Sequence, residues 1–310
     1  MAKPNLPSPI SYLPILIAGP TAVGKSAIAL ALAERIGGEI ISVDSMQVYR
    51  GLDIGTAKPS PADRARVPHH LIDIRDLTES FDAAQFCRQA HRAVAEIQSR
   101  DHVPILCGGT GFYFKAFLEG IDAMPSADAK LRAELEATPL EKLLGELQKC
   151  DPATYGKIDK KNPRRVIRAV EVIRLTGKPF SGVQSPKSKV QSPMPKFVCL
   201  TRQSEDLRLR IDARVDEMFA QGLVNETREL LGHGLEQNKT AMQAIGYRQV
   251  VEHLRGERSL AETIELVRTR TRQFAKRQLT WFRAQKNLEW IELKPDESLE
   301  NLANLSCGTS

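Results

Sequence analysis

Gly19, Pro20, Thr21, Ala22, Val23, Gly24, Lys25 and Ser26 run in the spacing G-x-x-x-x-G-K-[ST], a pattern whose chemistry is the holding of a diphosphate. Such an anion needs many donors in a small concave space, and a glycine-rich turn lets successive backbone N–H groups converge on it. A helix beginning at the turn adds partial positive charge. Lys25 supplies a mobile point charge for the outer phosphate, and the Ser26 hydroxyl is placed to ligate Mg2+. Two further segments carry chemistry-bearing residues. Asp44 and Ser45 end the run EIISVD-S; Asp44 is a candidate base or substrate acceptor, with a helix cap or a carboxylate behind the magnesium as the alternative. Gly108-Gly109-Thr110-Gly111 combines glycines that allow close backbone approach with a hydroxyl donor, or else makes a plain tight turn.

These residues need a frame. Residues 13–18 (LPILIA) form a short apolar run, and residues 25–36 are rich in Ala and Leu and close on Gly37-Gly38. This predicts a buried strand and a helix with a glycine C-cap. Residues 39–44 and 103–107 predict two more strands, with a helix over 82–100 between them. Strand, helix, strand, helix, strand at this spacing predicts a parallel sheet wrapped by helices. In such sheets ligands bind beyond the carboxyl ends of the strands, where all three segments would lie. From about residue 120 the pattern changes. Residues 128–178 read as helices only, 184–196 (QSPKSKVQSPMPK) as an exposed loop, and 197–200 and 288–293 as returning strands. The expected fold class is α/β: a P-loop NTPase-like parallel sheet core flanked by helices, with a mainly α-helical insertion domain. The expected boundaries are a core over 14–122 and 196–294, an insertion over 123–195, an N-terminal arm over 1–13 and a tail over 295–310.

Composition narrows the classes. Of 310 residues, 42% are hydrophobic and 26% charged, ordinary for a folded globular chain and against disorder throughout. No apolar run reaches the roughly 18 residues of a membrane span, and the proline-rich start lacks the apolar centre of a secretory signal. Five scattered cysteines without a CxxC suggest neither a disulfide framework nor a zinc site, so the cytoplasm is the expected compartment. The net charge of +6 is unevenly spread. Residues 265–286 carry seven basic residues against Glu265, and residues 157–168 carry six against Asp159. Local excess of this kind attracts polyanions. At 100° per residue, Arg268, Arg272, Lys276 and Arg283 share one helical face, and Val267, Phe274 and Trp281 form a separate apolar stripe expected in the core. His69 and His70 have no third metal ligand at useful spacing, and Cys107 and Trp290 read as packing residues.

The stretch GPTAVGKS, then SVDSMQVYRGLDIGTAKP (42–59), then GGTG resembles the tRNA dimethylallyltransferases, or tRNA isopentenyltransferases. The resemblance continues through MPSADAKLR (124–132), RRVIRAVEV (164–172), QAIGYRQ (243–249) and KRQLTWFR (276–283). It implies transfer of a dimethylallyl group from dimethylallyl diphosphate to N6 of adenine 37, beside the tRNA anticodon, with release of diphosphate. It implies Asp44 as the base, Thr110 against the reacting nucleotide and diphosphate, and Lys25 with Mg2+ on the leaving group. The tRNA contacts it implies fall on Asp44, Ser45, Met46 and Gln47, on Thr110, and on Arg132. They continue over Arg164, Arg165, Val166, Ile167 and Arg168, then Gln243, Ala244, Ile245, Gly246, Tyr247 and Arg248. The last group is Lys276, Arg277, Gln278, Leu279, Thr280, Trp281, Phe282 and Arg283. No zinc finger follows the core, so the short bacterial-type architecture is expected, as a monomer. A P-loop kinase explains the phosphate motif but not the basic helix, and a prenyltransferase of free adenine nucleotides needs no polyanion footprint.

Overall fold

The computed structural model describes residues 13–120, 125, 128–183 and 195–294. The expected arm, the 184–196 loop and the tail lie almost wholly outside these residues. The chain divides into two compact units, Met1–Phe117 with Gln191–Ser310, and Leu118–Val190.

The first unit is built on six parallel strands in the order β3-β2-β4-β1-β5-β6. They are β1 (Ile15–Ala18), β2 (Gly38–Val43), β3 (His69–His70), β4 (Val103–Gly108), β5 (Lys196–Thr201) and β6 (Glu289–Glu292). Helices α1 (Lys25–Ile36), α2 (Pro61–Arg66), α3 (Ala83–Gln98) and α4 (Gly111–Glu119) follow or separate the first four strands. The chain winds outward from β1 to β3, returns to insert β4 beside β1, and later adds β5 on the other side of β1. The crossover therefore opens at β1, where the register pairs Ala18 with both Gly108 and Cys199. This is the topological switch point at which open α/β sheets bind ligands.

The inner strands are apolar on both faces because helices cover both. Ile17, Ile105 and Val198 from the sheet pack with Ile28 and Leu32 of α1 in one buried cluster. Burial of each such aliphatic side chain stabilises the fold by about 1.5–3 kcal/mol. α1 ends at Gly37, whose φ of 64° closes the helix in the left-handed region, a conformation that suits glycine.

The second unit holds α5 (Ala129–Ala137), α6 (Leu140–Cys150), α7 (Pro152–Lys157) and α8 (Pro163–Thr176). Leu135, Leu143, Leu147, Val166, Val170 and Ile173 form its core. α8 starts where the Asn162 side chain accepts from the Arg165 amide with Pro163 behind it, and stops at Gly177. Asp151, 2% exposed, accepts from the amide and hydroxyl of both Thr154 and Ser181. Those bonds outweigh the effect of burial and hold its carboxyl down at about 2.

Four more helices return to the first unit: α9 (Ser204–Ala220), α10 (Leu223–Leu231), α11 (Tyr247–Leu254) and α12 (Leu260–Arg283). The Ser259 hydroxyl and the Glu262 carboxylate satisfy each other's backbone amides and start α12. Leu207 and Ile211 of α9 and Ala275 of α12 join the sheet's core cluster. Two expectations change here. Val267 of the apolar stripe is buried, but Phe274 in its middle is 37% exposed. Trp290, expected in the core, is 38% exposed on the edge strand β6. His70, by contrast, is accounted for structurally, 2.6 Å from the Glu39 carboxylate.

Candidate active site

Three neighbouring strand ends bring the chemistry together. The phosphate loop leaves β1, Asp44 follows β2, and the GGTG segment follows β4, which lies between them. The loop is held in a strained form, with Ala22 at φ 63° and Gly24 at φ 109°. A non-glycine residue in that region costs on the order of 1 kcal/mol, and side chains from three other elements offset it. Arg210 of α9 donates to the Ala22 carbonyl at 3.0 Å, and Arg202, after β5, donates to the Val23 carbonyl at 2.8 Å. Gln278 of α12 accepts from the Thr21 amide at 2.9 Å.

Beside the loop is a cavity of about 390 Å3 lined by Ala22, Lys25, Ser26, Arg210 and Arg214 among others. The Lys25 ammonium folds back onto the Pro20 carbonyl at 2.6 Å. Burial, aided by the Arg214 charge, lowers its pKa from 10.5 to about 8. Arg214 is the residue that sequence reasoning missed. Burial lowers its pKa too, the Asp44 charge opposes that shift, and its Nε has no hydrogen-bond partner. A half-buried guanidinium whose buried Nε lacks a partner, beside a phosphate loop, is poised for an anion. The signal was present as RIDARVD (210–216). Arg210 and Arg214 stand one helical turn apart, as do Asp212 and Asp216, so the two pairs occupy different faces.

Asp44 is half-buried. Its Oδ1 accepts from the amides of Met46 at 2.8 Å and Gln47 at 3.4 Å, whereas Oδ2 has no partner among the described residues. The Thr110 hydroxyl accepts from the Ser45 amide at 3.3 Å, and the Thr110 amide donates to the Val43 carbonyl. The segments after β2 and β4 are thus bonded to each other. Behind them, Gln47 bonds to the Ser42 hydroxyl and the carbonyls of Thr56 and Ala57. Glu226 of α10 receives the amides of Asp53, Ile54 and Gly55 and the Tyr247 hydroxyl.

No group of three or more His, Cys, Asp and Glu residues gathers among the described residues, so the expected magnesium ion would have the exposed Ser26 hydroxyl as its protein donor. That donor set fits an ion that takes most of its oxygens from a diphosphate and water.

The expected tRNA-facing residues separate into three groups by exposure. Arg164, Arg165, Gln243, Arg248, Lys276, Arg277, Thr280 and Arg283 are exposed. Arg132, Ser45, Met46, Gln47 and Ile245 are half-buried. Val166, Ile167, Ala244, Tyr247 and Phe282 are buried in their units' cores, Gly246 is buried with them, and Leu279 packs against the sheet cluster. Arg168 pairs with the fully buried Glu171 at 2.6 Å and donates to the Pro125 carbonyl. These side chains shape the surface without presenting themselves to a polynucleotide. The basic face on α12 changes as well. Arg272 makes a two-pronged pair with Asp212 of α9, and Arg268 pairs with Asp216 and Glu265. Half the expected stripe is neutralised, largely by acids that α9 turns toward it; Lys276 and Arg283 of that stripe remain exposed, as does Arg277 beside them. Trp281 is half-buried because Gly111 lets it approach: a Cβ there would lie 2.1 Å from the indole ring.

A parallel sheet with a glycine-rich loop at its switch point, and a carboxylate with one open oxygen two strands away, defines an α/β protein with a candidate site at the carboxyl edge of its sheet. A family model described as IPP transferase matches residues 47–285, and the chain belongs to that family. It is 48% identical to a tRNA dimethylallyltransferase of Halorhodospira halophila over 93% of this chain and 94% of that one. Identity to the Geobacter metallireducens tRNA dimethylallyltransferase is 47%, over 90% and 92%. The crystal structure of a Bacillus halodurans tRNA isopentenylpyrophosphate transferase superposes with a TM-score of 0.69 at 39% identity, over 96% of each chain. A eukaryotic dimethylallyltransferase captured acting on tRNA superposes with a TM-score of 0.76 at 31% identity, over 90% of this chain and 74% of that one.

Proposed function

We propose that this protein transfers a dimethylallyl group from dimethylallyl diphosphate to N6 of adenine 37, beside the tRNA anticodon. The observation that carries the reading is the half-buried Asp44 carboxylate, with one oxygen bonded to the Met46 and Gln47 amides and the other unbonded, at the strand end next but one to the Lys25 loop. In the reaction the N6 lone pair attacks the allylic C1, the C1–O bond breaks, and its electrons leave on the diphosphate. The adenine amine is a poor nucleophile because its lone pair is delocalised. Asp44 orients it and takes the N6 proton as the new bond forms. Lys25, Arg214 and the loop amides meet the charge that builds on the leaving oxygen. Mg2+ at Ser26 would add neutralising charge to the bound diphosphate. Thr110 supports the segment that carries Asp44.

An adenine within a stacked loop must swing out to reach such a site, which calls for a grip on the surrounding backbone. Lys276, Arg277 and Arg283 on α12, with Arg164 and Arg165 on α8, supply outward positive charge for it. No described helix is long and apolar enough to cross a membrane; the proposed enzyme acts on tRNA in the cytoplasm, as a monomer. The test is incubation with radiolabelled dimethylallyl diphosphate and tRNA lacking the modification. Label on tRNA supports the reading. Label on AMP alone, or γ-phosphate transfer from ATP without prenylation, refutes it.

A further inference from the structure

We infer that Gln278 is a positioning residue for this transfer, its carboxamide setting the spacing between the phosphate loop and the loop that carries Thr110. The inference rests on the reaction proposed above. Gln278 lies in the middle of the basic segment of α12, yet it is 7% exposed and so presents nothing to a polynucleotide. Its Oε1 accepts from the Thr21 amide at 2.9 Å, and its Nε2 donates to the Gly109 carbonyl at 3.0 Å. One partner is a donor and the other an acceptor, so a single orientation of the amide satisfies both. Among the described residues no other side chain hydrogen-bonds to both loops, and Gly109 leaves no slack: a Cβ there would fall 2.2 Å from Nε2 and 3.4 Å from the Gly19 carbonyl oxygen.

Two consequences follow. The Thr21 amide is already occupied, so it is withdrawn from the set of loop donors open to the diphosphate. The helix that turns Lys276 and Arg277 outward also fixes, through Gln278, the distance between leaving group and acceptor base. Misplacement by about 1 Å in a reacting pair can lower a rate by about 10²-fold.

The test uses the full-length chain with single-turnover transfer, equilibrium tRNA binding and thermal melting measured on each variant. Gln278→Ala removes both bonds, and Gly109→Ala pushes the amide off its seat. Each should slow the single-turnover step by about 10- to 10²-fold while tRNA Kd stays within about twofold of wild type. In the double variant the new methyl occupies space that the shortened side chain vacates, so its loss should match Gln278→Ala alone and not the product of the two. Should Gln278→Ala fail to fold, the isosteric Gln278→Glu carries the test. It keeps the Thr21 contact, makes the Gly109 contact repulsive, and should show the same split between rate and binding. The inference is overturned if folded variants turn over at the wild-type rate, if tRNA Kd rises as much as the rate falls, or if the two losses multiply. A wild-type protein that transfers no prenyl group would overturn the reaction itself, a result distinct from any of these.

Discussion

Two carboxylates stand at opposite ends of β2 and have opposite fates. Glu39, near its start, has a side chain only 3% exposed and is saturated: Arg100 grips both oxygens, while His70 and His102 approach at 2.6 and 2.7 Å. Burial alone would raise its pKa, but the bonds from Arg100, His70 and His102 outweigh that and bring it to about 2. Asp44, just past the other end, spends one oxygen on two backbone amides and keeps the second open. Partners come from β3 and the segment before β4 at the amino edge, whereas the carboxyl edge is built of loops that leave room for a ligand. On one strand, then, the saturated carboxylate stabilises the fold and the unsaturated one is available to chemistry.

Breaking each end should separate the two roles. Asp44→Ala should lower turnover by about 10² to 10⁴, the range for a lost general base, with the melting temperature and tRNA Kd close to wild type. Stopped transfer assays and melts on the same preparation check this. Glu39→Gln should do the reverse. It leaves one cation and two imidazoles around a neutral, buried acceptor, so stability should fall by about 3 kcal/mol while turnover per folded molecule is unchanged, read by urea unfolding and a transfer assay.

Acid sharpens the same contrast. A glutamate in the unfolded chain titrates near 4.5 and Glu39 near 2. Its contribution is therefore complete above about pH 4.5 and is lost as pH falls toward 2, a change of about 3 kcal/mol. Wild-type stability should fall with acid across that window, and that of Glu39→Gln should fall less. The smallest effects divide α12. Lys276→Ala should weaken tRNA binding and reduce the slope of log Kd against log salt by roughly one. Arg272→Ala, which breaks the pair with Asp212, should leave that slope alone and cost up to about 1 kcal/mol in stability.

Much of the catalytic edge was legible in the sequence because its residues sit on strong local signals. The phosphate loop is a contiguous motif, and Asp44 and Gly108 follow apolar runs whose type and length mark strands. Arg214 was not legible in that way. Its meaning depends on which face α9 turns to the loop, a tertiary fact that periodicity within residues 204–220 does not supply. The same helix explains the misreading of Arg268 and Arg272. Counting charges along α12 treats the helix as if it faced water all round, whereas Asp212 and Asp216 sit opposite it. Gln278 was assigned to tRNA along with its neighbours in KRQLTWFR, yet its inward direction separates it from Lys276 and Arg277. The two-residue strand β3 and the helices α2 and α4 also went unread, since elements this short or this embedded in a motif carry little pattern of their own.

The most direct test of the central claim is a crystal structure with an unreactive dimethylallyl diphosphate analogue and an anticodon stem-loop bound together. The account predicts the diphosphate in the loop from Gly19 to Ser26 and the open Asp44 oxygen within about 3 Å of the adenine N6. A diphosphate bound elsewhere, or an Asp44 carboxylate turned away from the extruded base, would contradict it.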